Sequence, residues 1–459
     1  MNLEASTTAQ HPACLADAAV LPLDRRDKHE IDEENVNLVT YPEGGLAAWS
    51  VAVGSWCSMM AGLGLVNSVG VFEAYMSTIL LPSYSADAIG WIFGLYVFIS
   101  YFCGVQIGPI FDARGPRELM FVGSICLVSS AFALSYCTEY WHFILALSIL
   151  NGIGSSLLFT PAMGAIAHWF NRRRGTASGF AFIGSGVGGV LFPLMIQSLL
   201  PKAGWAWTMR AVGFVLLILC IAGVTLCRSR LPPRKAKPAV RDMLPDPRIL
   251  WDPAMAVTTA GVFFIEWAYF VPISYVPKYY LARQGLADSD GATNVAFAYQ
   301  LLAILNAVSC VGRYGTGHIA DRAGRYNTMI LCNIICLIAV AALWMLDALA
   351  SANMLIVFVA VFGLASGANI TLIPICIGQL CETQDYGRYY ASAYTITSFG
   401  CLTGIPIAGS LLAATGEPEG GRKSYWGLIL FAGLSYVGAI ACFLWVRVYV
   451  KGWNWRIKW

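Results

Sequence analysis

The segment Gly108-Pro-Ile-Phe-Asp-Ala-Arg-Gly-Pro-Arg117 places an aspartate and two arginines between two long apolar runs. Residues 88–107 precede it and residues 119–138 follow it, and neither run contains a charged side chain. A run of about 20 such residues is long enough to cross a bilayer as a helix. The segment is therefore predicted to be a short charged connection between two membrane helices.

The same pattern recurs in the second half of the chain as Gly317-His-Ile-Ala-Asp-Arg-Ala-Gly-Arg325. In each copy, one glycine lies four residues before the aspartate and another lies three residues after it. The loop that begins at Arg174 likewise corresponds to one that begins at Arg388, and Pro193 corresponds to Pro406, at a separation of about 210 residues in each case. Such a constant separation predicts a duplicated bundle of helices with two parallel repeats.

The composition excludes an ordinary soluble domain. Hydrophobic residues make up 58% of the 459 residues and charged residues only 12%, whereas about 25% of residues are charged in typical globular chains. The 14 cysteines lie mostly within apolar runs, and their spacing predicts no metal site or disulfide framework. The sequence thus indicates a polytopic membrane protein.

Hydropathy predicts an all-α membrane protein with twelve transmembrane helices in two six-helix halves. The predicted spans begin near Ala47, Ile89, Leu119, Phe143, Thr176, Trp207, Met255, Val295, Thr328, Met354, Tyr390 and Tyr425. The predicted parts are a disordered cytosolic tail (1–45), an N-terminal bundle (46–227), a cytosolic linker (228–254), a C-terminal bundle (255–448) and a cytosolic C-terminus (449–459).

The distribution of basic residues predicts the orientation. Most of the 29 lysines and arginines fall in segments that share one side of the membrane if the N-terminus lies inside. The positive-inside rule therefore predicts that both termini are cytosolic. We expect a multi-pass protein of the plasma membrane, with the vacuolar membrane as the alternative.

The segment 108–117 resembles the signature loop of the major facilitator superfamily. Tyr41-Pro-Glu-Gly-Gly-Leu-Ala-Ala-Trp49 resembles the segment that precedes the first span in the monocarboxylate porter family. His168-Trp-Phe-Asn-Arg-Arg-Arg-Gly-Thr-Ala-Ser-Gly179 resembles that family's loop before the fifth span. The resemblance covers nearly all of residues 41–450 and is closest to the fungal branch. It implies the major facilitator fold and the movement of small organic acids or related metabolites by alternating access.

The resemblance also implies candidate substrate-binding residues. Arg313 falls where animal members bind the substrate carboxylate with an arginine, but Ser309 replaces their aspartate four residues earlier. Asn67 replaces their first-span lysine. These two differences argue against lactate-type substrates and the animal mode of proton coupling. Because an arginine within a span costs about 2.5–3.5 kcal/mol on insertion scales, Arg313 is expected to bind either a ligand or a structural partner.

Glu266 is the other isolated charged residue well inside a span. A carboxyl group in low dielectric is a candidate proton acceptor. The alternative is that Glu266 is the counter-ion of Arg313, and one carboxylate could serve both purposes. The candidate substrate site therefore comprises Arg313, Asn67 and Glu266.

The charged loops predict a cytosolic gate. We expect Asp112 and Asp321 to form charge-assisted bonds with nearby arginines, helped by helix N-termini, and to latch the outward-open state. The alternative is that these loops only fix the topology. The predicted gate residues are Gly108, Asp112, Gly115, Arg117, Asp321, Arg325, Arg174 and Arg388.

The sequence favours a secondary transporter of a small organic anion or metabolite, with proton coupling and with the lipid bilayer as its surroundings. No hydrolase elbow, zinc-protease pair or phosphate-binding loop is present, so neither an enzyme nor an ATP-driven pump is predicted. No cofactor, metal or nucleic acid is expected. The alternatives are a dedicated exporter of a fungal secondary metabolite and a non-transporting nutrient sensor.

Overall fold

The structure, a computed structural model, describes residues 41–68, 72, 75–84, 86–230, 247–283, 292–345, 352–415, 425–453 and 459. Residues Pro42–Trp459 form one folded unit. Most of the predicted tail, the central part of the predicted linker and residues 454–458 lie outside the described residues. The boundaries assigned to the tail and linker therefore remain predictions.

The described residues form helices and no strands. We number the membrane helices in chain order. They are α1 (Gly45–Ser68), α2 (Ala88–Arg114), α3 (Arg117–Leu134), α4 (Tyr140–Trp169), α5 (174–203), α6 (205–226), α7 (Pro253–Arg283), α8 (Ala292–Ala323), α9 (Arg325–Trp344), α10 (Ala352–Ile377), α11 (Tyr386–Ala414) and α12 (Trp426–Lys451).

Two of these helices form one continuous stretch. Arg174–Leu226 is helical over 53 residues apart from Gly204, whose φ of 72° breaks the helix. A straight helix of that length would measure about 80 Å, far more than the roughly 30 Å of a hydrocarbon core. The bend at Gly204 therefore divides it into two crossings, α5 and α6.

Ten stretches of the described residues are long and apolar enough to cross a membrane, Arg174–Leu226 being counted as one of them. Dividing it at Gly204 and adding the less apolar, 32-residue α8 gives the predicted twelve. Large apolar side chains such as Phe121, Ile218 and Leu434 are more than half exposed, as expected for a surface that faces lipid. The prediction of an all-helical, multi-pass membrane fold is confirmed.

Glycines set the closest helix contacts within each half. A Cβ atom on Gly184 would meet the Trp56 carbonyl of α1, and one on Gly188 would meet Gly64. In the second half, Gly367 of α10 lies as tightly against Ser309 of α8. Small residues let membrane helices pack backbone to backbone. This packing fixes α1 against α5 and α8 against α10, which positions the candidate site.

Candidate functional site

Asp112, at the end of α2, binds the first residues of α11. Its two carboxylate oxygens accept hydrogen bonds from the backbone N–H groups of Gly387 at 2.9 Å and Arg388 at 2.8 Å. The first amides of a helix have no partner within the helix, and the helix dipole makes that end favourable for a negative charge. Asp112 therefore connects the first half of the chain to the second by capping a helix.

Asp321, near the end of α8, makes the corresponding contact in the opposite direction. Its carboxylate accepts the backbone N–H groups of Gly175 at 2.7 Å and Thr176 at 2.8 Å. The Thr176 hydroxyl donates a third bond at 2.8 Å. The second half thus caps α5 of the first half, as the first half caps α11 of the second.

These contacts correct the prediction that the hydrogen bonds of the two aspartates come from guanidinium groups, because the donors are backbone amides and one hydroxyl. The side chains of Arg388 and Arg325 add electrostatic attraction to Asp112 and Asp321 respectively. The arginines of this face contact other groups: Arg114 pairs with Glu118 at 3.6 Å, and Arg325 donates to the Asn171 carbonyl at 2.6 Å. Arg117 is exposed at the start of α3. An amide pair has no side-chain signature, which is why the sequence favoured the arginines.

Arg174 also crosses between the halves. It is 3% exposed, its guanidinium lies 4.4 Å from the Tyr386 ring, and its Nη1 donates to the Gly378 carbonyl at 3.4 Å. Arg174 begins α5, whereas Gly378 and Tyr386 flank the loop between α10 and α11. Five predicted gate residues thus take part in contacts between the halves, namely Asp112, Arg174, Asp321, Arg325 and Arg388.

The glycine that follows each aspartate by three residues ends its helix. Gly115 has a φ of +85° and Gly324 a φ of +101°, the left-handed region that side chains disfavour. Such a residue commonly terminates a helix. The repeated glycine in the sequence pattern therefore marks a turn, while the preceding aspartate remains at the helix end, facing the other half.

Gly108 marks the closest approach of α2 to α11. A Cβ atom at this position would meet the Gly387 carbonyl and the Ala391 methyl group. We predict that Gly108→Ala separates the two helices and weakens closure of this face, detected as faster modification of a cysteine placed at Ala391. Gly104→Ala on the same helix is the control, because its Cβ would meet only the Thr160 hydroxyl at 3.8 Å. Equal modification rates in both variants would contradict the prediction.

Glu43 caps the loop between α4 and α5, a contact that the sequence analysis missed. Its carboxylate accepts the backbone N–H groups of Asn171 at 2.9 Å, Arg172 at 2.6 Å and Arg173 at 2.9 Å. Its own φ is +52°, uncommon for a residue with a side chain. The conspicuous acidic residue before the first span was the available signal, but its target lies more than a hundred residues away.

We predict that Glu43→Gln loosens this loop without unfolding the bundle. The amide keeps one acceptor oxygen but loses the charge, and charge-assisted bonds contribute about 1.5–3 kcal/mol each. Hydrogen exchange of the 171–173 amides should accelerate, while the α1 amides between Val51 and Gly62 stay protected. Unchanged exchange at the loop would show that the cap contributes little.

Arg313 lies in the interior of the bundle and is 1% exposed. Its Nη1 donates to the Phe182 carbonyl at 2.9 Å and to the Ser185 hydroxyl at 2.6 Å, both on α5. Its Nε has no partner among the described residues. Asn67 donates to the Ser185 carbonyl at 2.9 Å, so Ser185 brings these two predicted site residues together.

Glu266 is 2% exposed and lies on α7. Its carboxyl group interacts with the Cys401 thiol, and no ion pair joins it to Arg313 within the described part of the chain. Tyr269, one turn further along α7, interacts electrostatically with both Glu266 and Arg313. The predicted direct ion pair is therefore absent from the described residues in this conformation, and Tyr269 interacts with both charged groups.

Aromatic rings from both halves form a wall beside Glu266. Tyr101 of α2 lies 5.2 Å from Tyr394 of α11, and Tyr394 lies 4.5 Å from Tyr390. Phe159 of α4 packs against both α11 tyrosines, with centroid distances of 6.1 and 6.3 Å. All four rings are at least 91% buried. The region between Arg313 and this wall combines one cation, several hydroxyls and flat apolar surfaces.

The family model described as Major Facilitator Superfamily matches residues 46–381 and 315–456. The chain belongs to the major facilitator superfamily. For this facilitator, the matched ranges include α1 to α12, both charged loops and all three predicted substrate-site residues. The resemblance noted from the 108–117 segment is thus confirmed at the level of the superfamily.

Its curated relatives are fungal proteins named as transporters. The facilitator is 36% identical over 397 residues to the MFS transporter asaE of Aspergillus flavus, covering 86% of this chain and 87% of that protein. It is 31% identical over 448 residues to the riboflavin transporter MCH5 of Saccharomyces cerevisiae, covering 94% and 83%. It is 32% identical over 397 residues to the fujikurins efflux protein of Gibberella fujikuroi, covering 86% and 83%.

Proposed function

We propose that this facilitator moves a ring-bearing organic anion across the membrane by alternating access, with Arg313 as the anion-binding group. One observation carries the proposal. Arg313 is almost fully buried, yet its hydrogen-bond acceptors on α5 are a carbonyl and a hydroxyl, and no carboxylate of the described residues forms an ion pair with it. A buried cation without an anion is costly, and its planar fork suits a carboxylate.

The other groups of the site also fit an aromatic anion as the substrate. Ser185 and Asn67 surround the guanidinium with polar groups, and the wall of Tyr101, Phe159 and Tyr394 offers flat surfaces for a ring. Ligand sites commonly combine such apolar walls with a few well-placed polar groups. One relative is named as a riboflavin transporter, and we extend from it only the class of substrate, an aromatic metabolite.

The proposed cycle uses the two helix caps as its gate. Asp112 and Asp321 close the predicted cytosolic face, so the described conformation is assigned to the outward-facing part of the cycle. Opening this face would transfer the freed amides of α5 and α11 to water, which can satisfy them. The caps are therefore reversible contacts suited to alternating access. We further propose a plasma-membrane location with both termini cytosolic.

The test uses purified protein in liposomes with an imposed pH gradient and labelled monocarboxylates, flavins and polyketide acids. Uptake of at least one acid above the protein-free control supports the proposal. Binding without flux would favour the sensor instead. Neither binding nor flux for any acid, with a correctly folded protein, would refute the organic-anion proposal.

Glu266 is the proposed proton-binding group. We predict that Glu266→Gln abolishes substrate accumulation driven by the pH gradient, because an amide cannot gain or lose the coupling proton. Exchange of labelled for unlabelled substrate at equal pH should persist. Glu118→Gln, which changes an exposed carboxylate on α3, is the matched control. Normal gradient-driven accumulation by Glu266→Gln would exclude this role.

A second candidate function is export of a secondary metabolite by a dedicated pathway transporter. The relative named as a fujikurins efflux protein favours it. Arg313 would bind the exported anion in the same way, but protons and substrate would cross the membrane in opposite directions. Accumulation of substrate only when the proton gradient is directed out of the liposomes, so that protons leave as substrate enters, would identify an antiporter.

A further inference from the structure

The second half of the protein contains a buried polar cluster outside the site described above. Asn333 of α9 and Asn369 of α10 are both 0% exposed. Asn369 Nδ2 donates to Asn333 Oδ1 at 2.9 Å and lies 3.7 Å from the Cys336 sulfur. Among the described residues, Asn333 Nδ2 and Asn369 Oδ1 have no hydrogen-bond partner. In each of these two side-chain amides, one polar atom therefore takes part in a hydrogen bond with a described residue and the other does not.

Two hydroxyls extend this cluster. Ser366 lies one turn before Asn369 on α10, is 0% exposed and has no partner within the described residues. Tyr436 of α12 is also 0% exposed, and its hydroxyl lies beside the Cys336 thiol without a described nitrogen or oxygen partner. We call Asn333, Cys336, Ser366, Asn369 and Tyr436 the C-terminal polar cluster.

The first half contains a comparable cluster whose main members satisfy one another. Asn151 donates to the Ser130 hydroxyl at 3.0 Å, and Ser130 donates to the Ala146 carbonyl at 2.7 Å. Ser155 donates to the Gly62 carbonyl at 2.9 Å. By contrast, two amide atoms and two hydroxyls of the C-terminal polar cluster have no hydrogen-bond partner among the described residues. Buried polar groups almost always bind protein or ordered water.

The C-terminal polar cluster packs against α7, the helix of Glu266, because Cys336 and Tyr436 belong to the same buried core as Ala268 and Val271. Tyr269 interacts electrostatically with Cys336 and with Glu266, and Tyr436 interacts with Tyr269 and with Glu266. Among the described residues, the ionisable groups that interact with the Glu266 carboxyl are Tyr101, Tyr269, Tyr390, Tyr394, Cys401 and Tyr436, and Tyr269 also interacts with Arg313.

On its other side, the cluster is followed by polar groups at the predicted cytosolic end. The Tyr326 hydroxyl lies 3.0 Å from the Thr258 hydroxyl and 3.4 Å from the Cys376 carbonyl. Tyr326 precedes Asn333 by two turns of α9, a rise of about 10 Å. Polar groups therefore lie on either side of the cluster, beside Glu266 and near that face.

We propose that the C-terminal polar cluster holds internal water and forms the route by which Glu266 exchanges its proton with the predicted cytosolic side. This inference rests on the proposed function, in which Glu266 binds the coupling proton. In the step itself, the carboxyl O–H bond breaks, the proton passes to a water oxygen, and a carboxylate remains. The chain of water and hydroxyl groups then delivers one proton to the aqueous face.

The first test detects the water without any transport assay. Hydroxyl radicals generated from internal water by X-rays modify adjacent side chains, so purified protein should show modification of Tyr436 and Cys336. Tyr96 is the control, since it is equally buried but lies beside the Ser155 hydroxyl in the satisfied cluster. Modification of Tyr436 no greater than that of Tyr96 would overturn the proposal.

The second test separates the route from substrate binding. Ser366→Ala and Asn369→Val should each slow gradient-driven flux by about ten-fold, the effect of losing one hydrogen bond in the route, while equal-pH exchange stays within about two-fold. Ser156→Ala is the matched control, because it removes a buried and unpartnered hydroxyl from α4. Tyr436→Phe replaces Asn369→Val if that variant misfolds.

The outcomes distinguish this inference from the proposed function. Wild-type flux that follows the gradient, together with variants that retain it, would refute the water route and leave the proposed transport intact. Wild-type flux that ignores the gradient would refute both proton coupling and the route. Loss of exchange as well as gradient-driven flux in Ser366→Ala would assign the cluster to substrate binding and overturn the proposal.

Discussion

Replacing both gate aspartates, Asp112→Asn and Asp321→Asn, should open the predicted cytosolic face. Each carboxylate binds two amides at the N-terminus of a helix in the other half, and an asparagine would keep one acceptor and no charge. Capping interactions contribute about 0.5–2 kcal/mol each. We therefore expect each single variant to lower the ratio of closed to open molecules about ten-fold and the double variant to lower it about a hundred-fold.

Spin labels at positions 114 and 322 measure this opening. Both side chains are exposed and belong to different halves, so the double variant should show a longer distance distribution than the wild type. Asp252→Asn is the matched control, because Asp252 caps α7 within its own half through the Ala254 N–H at 3.2 Å. An unchanged distribution in the double variant would mean that the caps do not hold the closed state.

Arg313→Gln should reduce substrate flux by about a hundred-fold at low substrate concentration, the loss expected when a charge-assisted, two-pronged contact with a carboxylate is removed. Arg313→Lys should be intermediate, because the ammonium retains the charge but not the planar fork. Initial uptake rates in liposomes, corrected for protein amount, provide the measurement.

Arg447→Gln is the matched control for a buried guanidinium. Arg447 is 1% exposed, and its guanidinium donates to the side-chain Oδ1 of Asn327 and to the Gly452 carbonyl, each at 2.9 Å, away from Ser185 and Asn67. It should affect stability more than flux per folded molecule. Full flux in Arg313→Gln would make Arg313 a structural residue and move the search to the groups around Asn67 and Glu266.

The positions of the helices could be predicted closely from the sequence. The fifth span was expected from Thr176 and its helix begins at Arg174; the seventh was expected from Met255 and begins at Pro253. Each span must satisfy its own backbone hydrogen bonds and present apolar side chains to lipid. Both requirements are local and leave a signal in the sequence.

The contacts of the site could be predicted only in part. Arg313 and Glu266 were recognisable because charges are rare within spans, but Tyr269, which interacts with both of them, resembles any other buried tyrosine. Glu43 and Asp112 were recognisable as acidic residues at helix ends. Their partners were not, because a backbone amide is identical at every position and the partners of Asp112 lie 275 and 276 residues away.

The sequence alone determined that this is a duplicated, twelve-helix membrane protein with two charged loops and two isolated charges within its spans. The apolar composition of each span and the repeated motifs are sufficient for that prediction, because the bilayer requires every span to be an apolar helix. The tertiary structure decided that each aspartate caps a helix of the opposite half and that Arg313 faces Ser185 rather than Glu266. It also decided that the second half keeps unsatisfied amides in its interior. These features depend on which helix faces meet, and that follows from the packing of all the helices together.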